Sequence, residues 1–390
     1  VLRRHPWIFS GAVHERRGPI VNGTLVDVFA QDGRFVGAGH WGTSSIAVRL
    51  LSFEPVESEA ALITRRIEES LTLRRSLGLL GNAQTDAFRL MHGEGDFVPG
   101  LVVDLYGTTA VVQSHSAGMW RLREVIANAL QEQTEIKISR VLHRRVESVQ
   151  VAPEDSGDEE DVADDQPEPQ EVGGSTPGGL LTIQENGFRF VVDVEKGQKT
   201  GFFLDQRENR EYIKRLVHGK RVLNAFCYSG AFSVYALGGG AEWVCSVDAS
   251  KAAVELCRQN VALNFPGPSH TAEVADCFHY LQTISGAYDV IILDPPAFAK
   301  HRRSVERGLK GYEAINTMAL KSVRPGGLVL TFSCSQLISR DHFRDVLLRA
   351  SAQSGRRVQI VHQFHQAPCH PINLAHPEGD YLKGFALQVG

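Results

Sequence analysis

From Gly219 onward the chain alternates, five times in succession, between a short apolar run and a stretch able to form a helix. The apolar runs are RVLNA, EWVCSVD, AEVAD, YDVIILD and GLVLTFS, and the clearest helical stretches are KAAVELCRQNVALN, GYEAINTMALKSV and RDHFRDVLLRASAQ. Strands that read as continuous apolar runs are buried on both faces, and strands joined by helical crossovers pair in parallel. The alternation therefore predicts an α/β fold with a doubly wound, Rossmann-like sheet. VQIVHQF and YLKGFALQV follow with no helix between them, which predicts a terminal hairpin with one antiparallel strand. Ligands of such sheets bind outside the carboxyl ends of the strands, so the strand-ending residues are the candidates for chemistry.

Upstream the pattern changes. From Val1 to about Phe53 short alternations such as VDVFAQDGRFVGAGHW and IAVRLLSF, with a hairpin signal at Asp32-Gly33, predict a small β-barrel or β-roll. Glu57 to Leu79 has helical periodicity and carries Arg65, Arg66, Arg74 and Arg75, which read as a solvated face. FRLMHGEGDFVPGLVVDLYGTTAVVQS then predicts two or three strands and MWRLREVIANALQEQ a helix. RVLHRRVESVQ leads into an acidic insertion, and LLTIQENGFRFVVDV leaves it as a hairpin about Asn186-Gly187.

That insertion, Gln150 to Gly179, holds ten carboxylates and no Lys, Arg or aromatic residue. Too few apolar groups are present to bury a core, so the segment is expected to be a disordered, self-repelling tether. Setting its ten charges aside turns the net charge of −4 into +6, which suits an RNA partner better than the whole-chain value does. With 43% hydrophobic and 22% charged residues the chain as a whole is neither collagen-like nor wholly disordered. No run of about 18 apolar residues is present to span a bilayer, and nothing at the start resembles a signal peptide. All six cysteines lie at Cys227 or beyond, a distribution unlike a secreted disulfide framework, so reduced thiols in a cytoplasmic protein are expected.

The first strand of the sheet runs into Phe226-Cys227-Tyr228-Ser229-Gly230, a turn with one glycine. The three-glycine fingerprint that seats a dinucleotide pyrophosphate is absent. Asp248, 18 residues past Gly230, ends the second strand, where an acid can accept both hydroxyls of a ribose. A ribose without a pyrophosphate suggests S-adenosylmethionine rather than NAD. Asp276 ends the third strand and could accept from an adenine amino group, although either acid alone could instead cap the following helix. Asp294 ends the fourth, and Pro295-Pro296 behind it form a rigid turn suited to holding its carboxylate against the edge of a base. The fifth ends in Ser333-Cys334-Ser335, where Cys334 is the best nucleophile candidate among the cysteines. Methylation of carbon 5 of a pyrimidine needs such a thiolate, because that carbon becomes nucleophilic only after addition at carbon 6. The spacings of His362, His365, Cys369, His370 and His376 fit no zinc finger or ribbon, and no metal is expected.

These residues, with HPWIFSGAV at His5 to Val13, HGEGDFVPGLVVDLYG at His92 to Gly107 and VEKGQKTGFFLDQRENR at Val194 to Arg210, carry a resemblance. The chain resembles the bacterial 23S ribosomal RNA 5-methylcytosine methyltransferases of the large-subunit methyltransferase I type, which are class I S-adenosylmethionine enzymes. NAFCYSGAFS, LDPPAFAK, PGGLVLTFSCS and HPEGDYLKGF extend the match over nearly the whole chain. The resemblance implies a PUA-like RNA-binding domain over 1–55, a central α+β domain over 56–198 holding the acidic insertion, and a methyltransferase domain over 199–390. It assigns the cofactor site to Phe226, Tyr228, Gly230, Asp248 and Asp276, with Lys199, Phe202, Asp205, Gln206 and Arg207 closing over it. It makes Asp294 and Cys334 the catalytic pair, 23S ribosomal RNA the partner and a homodimer admissible. Two departures stand out: many relatives carry Lys where this chain has Ala297, and the acidic insertion is not part of the usual pattern.

Two other functions compete. The methylated base could be uracil, or an exocyclic amine of guanine or adenine, which would need no thiol, but the acid-Pro-Pro-aromatic motif typical of amine methylation is interrupted here by Ala297 before Phe298. A non-catalytic RNA-binding protein would use only the N-terminal and basic segments.

Overall fold

The computed structural model describes residues 4–145, 170–171, 179–299 and 301–390. All but a few residues of the acidic insertion, and the expectation attached to it, lie outside the described residues. The chain forms two compact units. One comprises Val1–Leu181, Asp193–Phe202 and Pro368–Gly379; the other comprises Thr182–Val192, Phe203–Ala367 and Asp380–Gly390. No helix among the described residues is long and apolar enough to cross a membrane.

The first unit opens with β1 (Trp7–Phe9), β2 (Leu25–Phe29), β3 (Phe35–Trp41) and β4 (Ile46–Ser52), an antiparallel sheet in the order β1-β4-β3-β2. Gly33, at φ +83°, makes the expected β2–β3 turn, and Val36, Trp41, Val48 and Leu50 form the core. Helix α1 (Glu59–Ser76) is capped by Ser58, whose hydroxyl accepts from the Ala61 N–H at 3.2 Å, and buries Leu62, Ile63, Ile67 and Leu71. The solvated-face expectation holds for Arg65 and Arg75 and fails for Arg74, which is fully buried. Arg74 makes a two-pronged ion pair with Asp96 and donates to the carbonyls of Arg89 and Cys369 at 2.9 and 2.8 Å.

A second sheet follows: β5 (Ala87–His92), β6 (Leu101–Tyr106) and β7 (Thr109–Ser114), then helices α2 (Ala117–Arg121) and α3 (Arg123–Gln131), then β8 (Arg140–Arg145) and β9 (Gln170–Glu171). Its strands lie in sequence order, antiparallel except where β8 runs parallel to β7. Side chains from this sheet tie down the segment before residue 203. The Thr200 hydroxyl donates to Asp104 at 2.6 Å, and the Lys199 carbonyl accepts from Gln113 at 3.1 Å and from Arg144 at 2.6 Å.

Strands β10 (Leu180–Glu185) and β11 (Phe188–Asp193) form the expected hairpin, with Asn186 and Gly187 at φ +49° and +84° as a tight two-residue turn requires. Its central part belongs with the second unit for a visible reason. Glu185, fully buried, takes two hydrogen bonds from Arg210 on α4 (Arg207–Lys214), at 2.9 and 2.7 Å, and one from Tyr235 at 3.0 Å.

The second unit is built on β12 (Arg221–Ala225), α5 (Ala231–Gly238), β13 (Trp243–Asp248), α6 (Lys251–Asn264), β14 (His270–Val274), α7 (Cys277–Thr283), β15 (Tyr288–Leu293), α8 (Val305–Ser322), β16 (Val323–Ser333), α9 (Arg340–Ser354), β17 (Val358–His365) and β18 (Lys383–Val389). The sheet order is β14-β13-β12-β15-β16-β18-β17, parallel except for β18. Successive residues of one strand enter opposite cores: Leu223, Ile291 and Val329 pack on one side, Val222, Val290 and Leu330 on the other. Burial on both faces is why these strands read as unbroken apolar runs. The carboxyl ends of β12 to β16 share one edge, with Asp248 and Ser333 as terminal residues.

Candidate active site

The loop after β12 alternates into left-handed backbone at Phe226 (φ +60°), Tyr228 (φ +45°) and Gly230 (φ +79°). Two non-glycine residues in that region carry strain, which the surroundings must offset. The Phe226 N–H donates to Cys277 Sγ at 3.2 Å, the Cys227 N–H to the Val247 carbonyl at 3.0 Å, and the Tyr228 N–H to Asp248 Oδ2 at 3.0 Å. Gly230 admits no side chain: a Cβ there would stand 2.4 Å from Cys257 Sγ and 3.1 Å from its Cα. Gly230→Ala should therefore lower stability by about 1–3 kcal/mol through strain and overpacking. Thermal unfolding checks this, and an unchanged melting temperature would show that the loop tolerates a side chain.

The three acids differ. Asp248 uses one oxygen for Tyr228 and the other for the Ser250 N–H at 2.9 Å, while Ser250 itself caps α6. Asp276 stands two residues past β14 and caps α7, accepting from the His279 N–H at 2.8 Å. The capping alternative is thus realised at Asp276 and not at Asp248. Each carboxylate oxygen has more than one acceptor site, so neither set of bonds exhausts the acid.

Asp294 is held by a chain of amides. Gln206 Nε2 donates to Asp294 Oδ2 at 3.1 Å, Asn209 donates to Gln206 Oε1 at 2.6 Å, and Asn209 also reaches the His365 carbonyl at 3.0 Å. This fixes which end of the Gln206 amide faces the carboxylate. Asp205 accepts from the Tyr381 hydroxyl at 2.6 Å, and Arg207 pairs with Glu208 at 3.0 Å. Lys199, in left-handed backbone, and the buried Phe202 belong to the other unit.

Cys334 is the first residue past β16, and of the six cysteines it alone is not buried. Burial pushes the Cys277 thiol up to about 12. A hydrogen bond from Cys227 draws the Cys257 thiol down, yet it is fully enclosed beneath the loop. Next to Cys334, Ser335 joins two strand ends: its hydroxyl accepts from the Ala299 N–H at 3.4 Å and lies 3.1 Å from the Tyr312 hydroxyl. Phe298 packs against Tyr312 and Phe278, with ring centroids 4.6 and 6.1 Å apart. The Asp294 and Cys334 loops are therefore braced together. Sequence reasoning missed Asn209 and Lys383, the latter paired across the sheet with Ser333.

His362 and His365 belong to the second unit, Cys369, His370 and His376 to the first. His376, His5 and Glu378 do bring their ligating atoms within 4.8 Å of one another. His5 Nδ1, however, accepts from the Trp7 N–H at 3.0 Å, which leaves the proton on Nε2, facing Glu378 at 3.5 Å.

A family profile described as S-adenosylmethionine-dependent methyltransferase matches residues 122–377, and a PUA-like domain profile matches residues 1–53. Ribosomal RNA large subunit methyltransferase I of Shewanella amazonensis is 39% identical over 400 residues, covering 99% of this chain and 96% of the relative. Its namesake from Escherichia coli K12 is 38% identical over 401 residues, covering 100% and 96%. The chain belongs to the ribosomal RNA large subunit methyltransferase I family. Among solved structures, a protein described as a methyltransferase and crystallised with SAH superposes with a TM-score of 0.84 at 22% identity, covering 100% of this chain and 96% of that one. Trm5b of Pyrococcus abyssi gives 0.54 at 17% identity, covering 74% of each chain. Both likenesses concern the fold. The large subunit methyltransferase I family is S-adenosylmethionine-dependent, and the donor set here fits that cofactor. The one-glycine turn offers no nest for a pyrophosphate, and Asp248 at the strand end retains acceptor capacity for ribose hydroxyls.

Proposed function

We propose that the chain methylates carbon 5 of a cytosine in 23S ribosomal RNA through a transient bond to Cys334. The observation that carries this reading is the single unburied thiol, standing at the end of β16 in a loop braced to the Asp294 loop. Phe226, Tyr228 and Gly230 shape the cofactor cleft, Asp248 takes the ribose and Asp276 the adenine side. Lys199, Phe202, Asp205, Gln206 and Arg207 belong to the family segment that closes the site. S-adenosylmethionine, when bound there, supplies an electrophilic methyl group. Cys334 adds to carbon 6, which makes carbon 5 nucleophilic, and leaves again when carbon 5 gives up its proton. Asp294 holds the polar edge of the base. A paired base is out of reach, so the target is unpaired or flipped out. Residues 1–55 are assigned to RNA contact, 56–198 to the central domain and 199–390 to catalysis, in a cytoplasmic enzyme.

Nucleoside mass spectrometry of ribosomal RNA from a deletion strain should show one 5-methylcytosine missing; loss of a methylated purine instead refutes the reading. Asp294→Asn should lower kcat about 100-fold, the scale for removing one aimed polar contact from a reaction centre. Calorimetry with S-adenosylmethionine should be unaffected, and a variant that loses cofactor affinity instead would move Asp294 to the cofactor side.

A further inference from the structure

We propose that Lys383 is a positioning residue for Cys334: its buried ammonium anchors the loop that follows the cysteine and supplies the positive charge that favours the thiolate. The inference rests on Cys334 being the nucleophile of the proposed reaction. Lys383 opens β18 and sits opposite Ser333, the last residue of β16, across an antiparallel register. The residue is only 2% exposed. Its Nζ donates to the Ser335 carbonyl at 2.7 Å and to the Ile338 carbonyl, so it clasps the turn running from Cys334 into the next helix.

An ammonium has three protons, and two neutral carbonyls do not balance a buried positive charge. The charged and titratable groups acting on it are Asp380, Arg340 and Cys334. Tyr312, from α8, is the further titratable group that feels the Cys334 sulfur, and it carries no positive charge. Burial draws Lys383 down to about 8, against the upward pull of Asp380 and then of Cys334. Below that pH the ammonium is charged and favours the thiolate; as pH rises through it the charge disappears. A thiol is ordinarily half ionised near pH 8.5, and an opposite charge close by lowers that by about one unit or more.

The test is the pH dependence of Cys334 alkylation by iodoacetamide, read by peptide mass spectrometry in the full chain, for wild type, Lys383→Met and Lys383→Arg. Wild type should reach half-maximal rate about one pH unit below 8.5. Lys383→Met should move that midpoint up by about one unit, and Lys383→Arg should keep it low. A merely structural lysine would leave the midpoint where it was, so an unchanged Lys383→Met profile overturns the proposal. Should Lys383→Met fail to fold, wild type decides, since a midpoint at or above 8.5 is equally fatal. Trapping of RNA containing 5-fluorocytosine by wild type is measured alongside. A low midpoint without trapping refutes the cytosine reading and leaves the lysine and thiolate pairing supported.

Discussion

Cys334→Ala should bind S-adenosylmethionine as tightly as the unaltered chain while losing at least about 10⁴-fold in methyl transfer, the scale for removing a covalent nucleophile. The two effects separate because the residues proposed for the cofactor and the thiol hang on different strand ends. Tyr228 is hydrogen-bonded to Asp248 and Phe226 to Cys277, behind β12 and β13, whereas Cys334 follows β16 and is braced through Ser335. No neighbour can substitute, because the other five cysteines are buried. The same variant should form no adduct with RNA containing 5-fluorocytosine. Residual carbon 5 methylation above about 1% of wild type would remove Cys334 from the mechanism, on the same scale.

Asp96→Asn is expected to cost about 3–5 kcal/mol, because it leaves the Arg74 guanidinium without its counter-charge in a fully buried position. At about 2–4 °C per kcal/mol for a unit of this size, melting should fall by roughly 10 °C. Arg74→Met combined with Asp96→Asn removes both the charge and its partner, so the double variant should be more stable than Asp96→Asn alone. Calorimetric melting of the three proteins checks this. A single Asp96→Asn variant within about 1 kcal/mol of wild type would mean that the two carbonyls already holding Arg74 are sufficient.

Arg74 also shows where sequence reading stops and why. Four arginines on one helix look alike as charges, yet Arg74 falls three residues after Leu71 and seven after Ile67, both buried, so it lies on the apolar stripe. That spacing was available in the sequence. Its partner was not, since Asp96 reaches it only through the fold. The direction of the sheet was legible, though not its strand order, because the central strands are buried on both faces and write unbroken apolar runs, and the missing helix between VQIVHQF and YLKGFALQV marks the antiparallel member. Asp248 and Asp294 were legible as strand-ending acids for the same reason. The support beneath them was not: Gln206 and Asp294 are 88 positions apart, and Lys383 meets Ser333 through strand register alone.

β18 is the last of the sheet's strands in chain order, yet it lies between β16 and β17. During synthesis, a nascent chain that has emerged only through β17 therefore has an open sheet edge on β16, with its N–H and C=O groups unpaired. The lysine that clasps the cysteine turn arrives on that same late strand. A chain still being made would carry the thiol before the group that sharpens it, so reactivity at Cys334 would come into being only with completion of the sheet.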